Sequence, residues 1–561
     1  MRRVWVMGWL LGTWAMVVAG CDGDETSTPA TGGTGGVGGS TTTTSDGGAG
    51  AAGGAGGAGP SAPCPATDSS ADSPMVFWPK PVRAHPEIPF SYTFVAYDPE
   101  GGALCYELDG APESMTVSSD GTIAWQPSAA DAAASPIEFE VRIVTEQGGE
   151  SLVPISLAVS SDGFLFVDPS GDDQADGSLA APMATIDGAM DQLSPTGDKT
   201  VVVRAGTYVT DWDWDGPGDP SSPLRGDYFT EDAPAEVVAY PGETVRIETA
   251  SGNGLVAFQT SYVLFRDFVV DGPTSRGGAV GQGAHVVFQR ITVENADWEN
   301  QNNCTGFVFH AEESVCHRCI ARDNYDRGAG TGANWNSSNF LTYPEGDTSS
   351  IYLIECQSSG SVVGYKIKHG GPGFVVLHGS LEEGSSYGFG GADDDVVVRW
   401  NTFVGNEQGI FLGMTDPSAS VANGNYRVEN NTVVAPTSHA LTFQGNSYPA
   451  TGSVVRRNVF QMSATVGTSN DDPHLFWMWP WESTTTFDEL DSDENCFFAP
   501  NDDGGFRVGD SVQTGWTGYL ALGKDAASAW GDPGFPGAGD YTLGASSPCR
   551  LSNGVVPGAW R

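Results

Sequence analysis

The sequence predicts an all-β protein in which a small β-sandwich precedes a long parallel β-solenoid. Eight segments repeat one pattern, a mostly apolar run followed by a turn residue and a second short strand. The repeat length varies between roughly 22 and 37 residues, which is typical of solenoid repeats. Because one such unit cannot bury its own apolar face, the units must stack and exchange backbone hydrogen bonds. The turn positions are Asp267, Arg290, Cys319, Cys356, Gly379, Asn401, Asn431 and Asn458.

Asparagine recurs at the turn of the later repeats, as a comparison of Val396–Phe403 with Tyr426–Val433 shows. Asn tolerates a left-handed backbone, so we expect that conformation at the Asn positions. Stacked Asn side chains can also hydrogen-bond along a column. The pattern therefore predicts a ladder of Asn residues along one corner of the solenoid.

The composition limits the classes of partner. The chain has 561 residues, more than one compact domain usually contains, so two or more domains are expected. Its formal net charge of −45 argues against nucleic acid and anionic membrane surfaces as partners. An acidic polysaccharide would also be repelled unless a local basic site or a metal ion intervenes.

The N-terminus resembles that of a bacterial lipoprotein. Arg2 and Arg3 precede an apolar stretch that is short for a transmembrane helix. The stretch ends in Val18-Ala19-Gly20-Cys21, which resembles a lipobox. The resemblance implies a signal peptide over residues 1–21, lipidation of Cys21, and export to the cell envelope with the lipid anchor as the sole membrane contact. The outer membrane or cell surface is favoured over the inner membrane, and an ordinary signal peptide is the alternative.

Two segments separate this leader from the solenoid. Residues 22–72 are rich in Gly, Ser and Thr and lack an apolar period, which predicts a disordered tether. Residues 73–160 contain short alternating strands with turn signals between them, which predicts a β-sandwich. Within them, Tyr97–Leu104 and Gly121–Pro127 resemble bacterial Ig-like, cadherin-like domains. The resemblance implies a spacer.

Residues 161–561 resemble the right-handed parallel β-helix proteins of the pectate-lyase-like superfamily. In those proteins a short helix caps the first coil, which would otherwise expose unpaired strand edges. The resemblance implies the fold and a carbohydrate partner, although the same fold serves lyases, hydrolases, epimerases, esterases and adhesins. The segments that carry it are Phe166–Asp172, an amphipathic helix near Thr185–Leu193, Thr200–Tyr208, and a closing segment with Gly531–Phe535 and Asp540–Leu543.

Cysteine usage predicts structural disulfides, because eight cysteines, an even number, follow Cys21 in an exported chain. The eight are Cys64, Cys105, Cys304, Cys316, Cys319, Cys356, Cys496 and Cys549. Cys319 and Cys356 occupy the same position in adjacent repeats, so we expect them to stack, and they could bond. Cys304 with Cys316, Cys496 with Cys549, and Cys64 with Cys105 are plausible pairs. Metal or redox chemistry at the C-x-x-C spacing of Cys316 and Cys319 is the less favoured alternative.

Strand alternation predicts which side chains line the outer wall. The outward side chains of coils about 4.8 Å apart form columns. One predicted column contains His310, Tyr343, Lys368 and Ala392. The next column contains Val308, Leu341, Lys366 and Gly390. The predicted inward residues are Leu255, Phe307, Phe340, Tyr365, Ile367, Phe389 and Ile410.

The placement of lysine is the strongest functional signal. Two of the five lysines, Lys366 and Lys368, lie two residues apart on one strand and face the same way, and His369 follows. Neighbouring positive charge lowers a lysine pKa and makes the amine a better base near neutral pH. The resemblance to lyases of this fold implies Lys368 as the base that abstracts the proton beside a uronate carboxylate, with Lys366 or His369 as the carboxylate clamp. Tyr343 or His310 would then donate a proton, and an exposed strand with solvated lysines is the alternative.

Two further groups are candidate site residues. Asp393, Asp394 and Asp395 could bind calcium as a cofactor or act in hydrolysis, although an ordinary acidic turn is favoured over both. Trp477, Trp479 and Trp481 could stack on sugar rings, with core packing as an equal alternative.

Together these features predict a monomeric cell-envelope protein whose partner is a polysaccharide. A lyase or epimerase acting on a uronate-containing glycan is favoured. The alternatives are a non-catalytic glycan-binding adhesin or scaffold, and a glycoside hydrolase.

Overall fold

The computed structural model describes the chain from residue 63 to residue 559 with internal gaps. The chain divides into two compact units, Met1–Gly59 and Pro60–Arg561. The predicted signal peptide, Cys21 and most of the predicted tether lie outside the described residues. Within the described part, no helix has both the length and the apolar character needed to span a membrane. The described residues are 63–194, 199–210, 212, 229–249, 252–274, 277–297, 304–326, 337–343, 349–368, 373–391, 395–413, 425–444, 452–467, 469, 472–479, 485–501, 504–509 and 512–559.

A small β domain comes first. Its elements are β1 (Met75–Val76), β2 (Arg83–Ala84), β3 (Phe90–Thr93), β4 (Ala96–Tyr97), β5 (Leu104–Asp109), β6 (Thr116–Val117), β7 (Thr122–Trp125), α1 (Ala129–Ala133), β8 (Ile137–Thr145) and β9 (Glu150–Val159). The strands form sheets in the orders β2-β9-β8-β5, β3-β7-β6 and β1-β4, and the pairings are antiparallel except for β2–β9. Tyr92 and Trp125 from one sheet share a core with Val141 and Ile155 from another, so two layers of sheet enclose the apolar interior.

Short strands and a few short helices make up the rest of the chain. The elements are β10 (Phe164–Val167), α2 (Ile186–Met190), β11 (Thr200–Val203), β12 (Gly206–Thr210), β13 (Ala235–Ala239), β14 (Val245–Thr249), β15 (Leu255–Arg266), β16 (Phe268–Asp271), β17 (Gly277–Gln289), β18 (Thr292–Glu294), β19 (Thr305–Glu312), β20 (Ser314–His317), β21 (Ile320–Arg322), β22 (Ser338–Thr342), β23 (Ser350–Ile354), β24 (Gln357–Ser359), β25 (Val363–Ile367), β26 (Phe374–His378), β27 (Leu381–Glu383), β28 (Tyr387–Gly391), β29 (Val396–Arg399), β30 (Thr402–Val404), β31 (Gln408–Leu412), β32 (Arg427–Glu429), β33 (Thr432–Val434), β34 (His439–Gln444), β35 (Val454–Arg456), β36 (Val459–Gln461), β37 (His474–Trp479), α3 (Thr485–Glu489), β38 (Asp491–Asp493), β39 (Cys496–Phe498), β40 (Phe506–Val508), β41 (Val512–Thr514), α4 (Trp516–Leu520) and β42 (Ala529–Trp530).

These strands stack in three columns, and each strand of a column pairs in parallel with its equivalents on adjacent coils. The one antiparallel pairing in the described part of the solenoid joins β41 to β40. The site column contains the first halves of β15 and β17, then β19, β22, β25, β28, β31, β34, β37 and β40. The docking column runs from β10, β11 and β13 through the second halves of β15 and β17 to β20, β23, β26, β29, β32, β35 and β38. The third column runs from β12 to β42. This arrangement confirms the predicted parallel β-helix.

The interior of the solenoid is one continuous apolar core, to which all the predicted inward residues belong. Phe307, Phe340 and Tyr365 stack in register, with ring centroids 4.9 Å apart at each step. The predicted cap helix is present as α2. Its N-cap Thr185 accepts a hydrogen bond from the Gly188 amide at 3.0 Å, and its buried Ile186 belongs to the same core.

The predicted Asn ladder is present at the corner between the docking and third columns. Asn401 Nδ2 donates to Asn431 Oδ1, Asn431 Nδ2 to Asn458 Oδ1, and Asn458 Nδ2 to Asn495 Oδ1, each at 3.0 Å. The expectation of a left-handed backbone at these residues was wrong. The left-handed residue is the one before, with φ of 60° at Trp400, because that residue turns the chain while the Asn side chain points inward to bond.

Two of the predicted disulfides, Cys64–Cys105 and Cys496–Cys549, are present. The prediction was wrong for Cys304, Cys316, Cys319 and Cys356, which form no disulfide and are buried. Cys319 and Cys356 do stack in register, because their neighbours Ile320 and Gln357 are paired. Equivalent atoms of in-register residues on adjacent parallel strands lie about 4.8 Å apart. The Cβ atoms of such a pair are therefore farther apart than the roughly 3.8 Å between the Cβ atoms of a disulfide. Cys304 precedes β19 of the site column, whereas Cys316 belongs to β20 of the docking column.

The β domain packs on the docking column. Val95 and Tyr97 form an apolar cluster with Leu264, Val287 and Val315, which point outward from the solenoid. Polar contacts flank the cluster, such as the 3.0 Å hydrogen bond from Gln289 Nε2 to Thr93 O and the 3.1 Å bond from Arg318 Nη1 to Asp120 O. The chain before β1, assigned to the tether through residue 72, also contacts the domain, because Asp68 N donates to Gly148 O at 2.8 Å. The domain therefore covers one face of the solenoid.

We expect Asn431→Ala to lower the free energy of unfolding by about 3 kcal/mol, because several buried hydrogen-bonding groups would lose their partner. Asn431 Nδ2 donates to Val398 O at 2.7 Å and to Asn458 Oδ1, and its Oδ1 accepts from Asn401. Denaturant unfolding monitored by circular dichroism measures the change. Asn553→Ala is the control, because the Asn553 side chain is exposed and its hydrogen bonds, to Glu494 and from the Val555 amide, lie at the surface. Equal midpoints for the two variants would contradict the structural role of the ladder.

A carboxyl group is buried on the third column of the solenoid, on strand β27. Glu382 Oε1 accepts from the Ser385 amide at 3.0 Å, and Oε2 accepts from Asn406 Nδ2. Burial is the main cause that raises the pKa of Glu382 to about 7 from 4.5. The pKa of Glu382 is higher in the folded chain than in the unfolded chain, so the bound proton stabilises the folded state. This stabilisation is fully present below pH 4.5 and is lost as the pH rises through about 7.

We therefore expect the stability of the wild type to fall, relative to Glu382→Gln, by about 3 kcal/mol between pH 4.5 and pH 8. Unfolding midpoints measured across that range for both chains test the expectation. The exposed substitution Glu138→Gln should leave the wild-type profile unchanged. A constant difference between wild type and Glu382→Gln at all pH values would show that Glu382 does not change protonation in this range.

Candidate functional site

The first predicted outer column is present on the site column of strands. Backbone pairing continues past the strand ends, because Tyr343 N donates to Phe309 O at 2.8 Å and Lys368 N donates to Thr342 O at 2.9 Å. The His310 and Tyr343 rings stack with centroids 4.1 Å apart at an angle of 10°. Lys368 Nζ lies 5.5 Å from the centroid of the Tyr343 ring. The structure thus brings His310, Tyr343 and Lys368 together at a partly exposed surface, and their catalytic roles stay predictions.

The second predicted outer column places Lys366 between Leu341 and Gly390, its in-register neighbours. Lys366 is 7 % exposed, and Leu341 and Val308 in the same column are buried with it. Burial, followed by the charge of Lys368, lowers the pKa of Lys366 to about 7. Gly390, in register with Lys366, adds no side chain to the column.

The two lysines therefore differ in what they can do chemically. An amine with a pKa near 7 is partly unprotonated at neutral pH and can accept a proton. Lys368 is more exposed and adds positive charge beside it. The sequence predicted Lys368 as base and Lys366 or His369 as carboxylate clamp, whereas the burial of Lys366 favours Lys366 as the base.

Several predicted site residues lie outside the described residues, namely His369, Asp393, Asp394 and Trp481, together with the side chain of Trp479. Ala392 of the first predicted outer column lies outside them too. Asp395 is described and is an exposed residue with a left-handed φ of 55°. Its Oδ1 accepts a hydrogen bond from Asn425 Nδ2. The carboxylate thus takes part in a turn, and calcium binding at Asp393–Asp395 stays a prediction.

Trp477 belongs to a polar cluster farther along the same face. The column that contains Lys366 and Gly390 continues through Phe411, Thr442 and Trp477 to Arg507. His439 and His474 are in register beside it, and their rings lie 4.2 Å and 5.5 Å from the Trp477 ring. Burial lowers the pKa of His439 to about 3 and that of His474 to about 4.

Sequence reasoning missed the two histidines and Arg507. The signal in the sequence is that each histidine begins a strand of the site column. To see that the two histidines are neighbours, one must know the register between two strands that begin 35 residues apart, and the spacing between successive strands varies along the chain.

A cleft of about 830 Å³ lies on a different face of the molecule, between the β domain and the docking column. It is lined by Asp98 and Glu100 on one side and by Arg318, Arg399 and Trp400 on the other. None of the residues predicted for the catalytic site lines this cleft, so its size alone does not make it the candidate site.

No known family profile matches the chain, and no curated protein matches it. Solved structures do resemble it. Pectate lyase Pel9A is 19% identical over 56% of this chain and 80% of its own, with a TM-score of 0.39. A rhamnogalacturonan lyase is 14% identical over 59% and 87%, with a TM-score of 0.40. The tailspike of E. coli bacteriophage HK620 is 12% identical over 63% and 65%, with a TM-score of 0.39. At these values the assignment of the fold depends on the strand pairing described above.

The low pKa of Lys366 can be measured directly. After reductive methylation with labelled formaldehyde, we expect one of the five lysine signals to titrate near pH 7 in NMR spectra. That signal should be missing in Lys366→Met. In Lys368→Met it should titrate at a higher pH, because the neighbouring positive charge is removed. Lys80→Met is the control and should remove a different signal. A Lys366 signal that does not titrate near pH 7 would contradict the burial of its amine.

Proposed function

We propose that this chain is a glycan-active β-helix that abstracts a proton from a uronate-containing polysaccharide, as a lyase or an epimerase does. The observation that carries the proposal is the placement of a buried amine with a pKa near 7 beside a second lysine and a stacked His–Tyr pair. Catalytic bases work best when their pKa lies near the operating pH. Perturbed lysines of this kind are concentrated at functional sites.

The proposed reaction is a β-elimination. Lys366 Nζ takes the proton from the carbon beside the sugar carboxylate, and the charge of Lys368 lowers the energy of the carbanion-like transition state. The bond from the adjacent carbon to the glycosidic oxygen then breaks, and the electron pair of the broken C–H bond forms a carbon–carbon double bond. Tyr343 or His310 gives a proton to the departing oxygen. In an epimerase, the proton would instead return to the other face of the same carbon.

The charge distribution supports an acidic substrate at this site. The net charge of −45 repels polyanions over most approaches. Lys368 supplies positive charge on the strand that contains Lys366, so an acidic chain would be attracted to this part of the surface. We also propose, from the sequence, that the protein is exported, that Cys21 is lipidated, and that residues 22–62 tether the folded part to the membrane.

Non-catalytic glycan binding is the second candidate. It is favoured by the aromatic surfaces on the site column, the His310–Tyr343 stack and the cluster around Trp477. Rings of this kind stack on sugars without cleaving them. In that case the two lysines would bind carboxylates only.

A panel of uronate polysaccharides distinguishes the candidates when absorbance of the unsaturated product is followed. We expect Lys366→Met to lower kcat/KM by about 10²-fold or more, which is the usual contribution of a general base. Lys368→Met should lower kcat as well as raise KM, because Lys368 stabilises the transition state and binds the substrate carboxylate. Lys80→Met is the control. The activity of the wild type should rise as the pH passes about 7, because Lys366 must lose its proton to act. In Lys368→Met the rise should move to higher pH.

Full activity in a folded Lys366→Met variant would refute the proposed base. New reducing ends without the absorbance would indicate hydrolysis, and binding without either product would indicate a scaffold. For an epimerase, exchange of the sugar proton with deuterated solvent is the readout, and it should be lost in the same variant.

A further inference from the structure

Three thiols meet inside the solenoid, away from the outer wall. Cys316 points inward from β20, and Cys319 and Cys356 occupy the corner that the Asn ladder occupies in later coils. Their Sγ atoms all lie within 4.8 Å of one another. All three residues are 0% exposed. Only nine cysteines occur in 561 residues, so the convergence of three at one point calls for a chemical explanation.

The spacing of the sulfurs fits a single metal ion. Metal–sulfur bonds of about 2.3 Å in a trigonal centre place the sulfurs about 4.0 Å apart. This separation is compatible with three Sγ atoms that all lie within 4.8 Å of one another. The stacked pair supplies two sulfurs from adjacent coils, and Cys316 supplies the third from the neighbouring column. Backbone hydrogen bonds hold the coils in place, so the triangle is preformed.

The donor set indicates which ion would bind. Among the described residues, no other His, Cys, Asp or Glu joins the three thiols, so the centre would be three-coordinate. Soft sulfur ligands suit both copper(I) and zinc, but structural zinc is almost always four-coordinate, so a centre with three ligands favours copper(I). Each cysteine that binds the ion does so as a thiolate, so binding would release three protons.

We propose that Cys316, Cys319 and Cys356 form a three-coordinate site for copper(I) in the core of the solenoid. The site lies inside the coil and is independent of the proposed glycan reaction. Because no ligand is exposed, the ion must enter while the chain folds. Bound copper stabilises the folded state, as any ligand does that binds only that state.

The test uses the full chain, refolded anaerobically with copper(I) and then washed with a copper(I) chelator. We expect about one copper per chain by mass spectrometry, an X-ray absorption spectrum of three sulfur neighbours, and a higher Tm than without copper. Cys316→Ser, Cys319→Ser and Cys356→Ser should each lower the retained copper by about tenfold. Cys304→Ser, at a buried cysteine outside the cluster, should retain it.

Several results would overturn the proposal. These are no copper in the refolded wild type, equal retention in all four variants, or preference for zinc when both ions are supplied. A disulfide among the three cysteines, found by alkylation of the denatured anaerobic protein, would also overturn it. If a serine variant does not fold, the alanine variant at the same position takes its place, and the copper-dependent Tm of the wild type is an independent readout.

Discussion

The parallel pairing of equivalent strands on successive coils is the constraint on which the rest of the structure depends. It places residues from distant parts of the sequence about 4.8 Å apart in columns. Each column then behaves as a surface with its own chemistry. The Phe307, Phe340 and Tyr365 rings form an apolar stack inside, whereas His310, Tyr343 and Lys368 form a polar column outside. A shift of one residue in the pairing would exchange these two sets between core and solvent.

The same pairing explains how one strand can carry two lysines with different properties. Lys366 and Lys368 both face outward, yet Lys366 has Leu341 as its in-register neighbour and is buried. Lys368 follows the end of the strand, beside the Tyr343 ring. The difference in surroundings, rather than any difference between the residues, is what lowers the pKa of Lys366 to about 7.

The interior is not uniformly apolar, and its polar groups have different energetic roles. The Asn ladder gives each amide group a partner on the next coil, so that buried polar atoms are satisfied. Glu382 is held by Ser385 and Asn406, and its burial favours the neutral form. Two earlier coils have cysteines at such positions. Cys319 and Cys356 occupy the corner where later coils have the ladder Asn, and Cys316 points into the core.

The sequence by itself determined the period of the coils, the inward residues and the two outer columns, because alternation and repeat spacing are local properties of the chain. Only the tertiary structure decided the burial of Lys366, the grouping of His439 and His474 with Trp477, and the packing of the β domain on Leu264, Val287 and Val315. It also moved the left-handed turn to the residue before each ladder Asn and left Cys319 and Cys356 stacked without a bond. Burial, register across variable spacings and sulfur geometry depend on what surrounds a residue in space, which no local pattern contains.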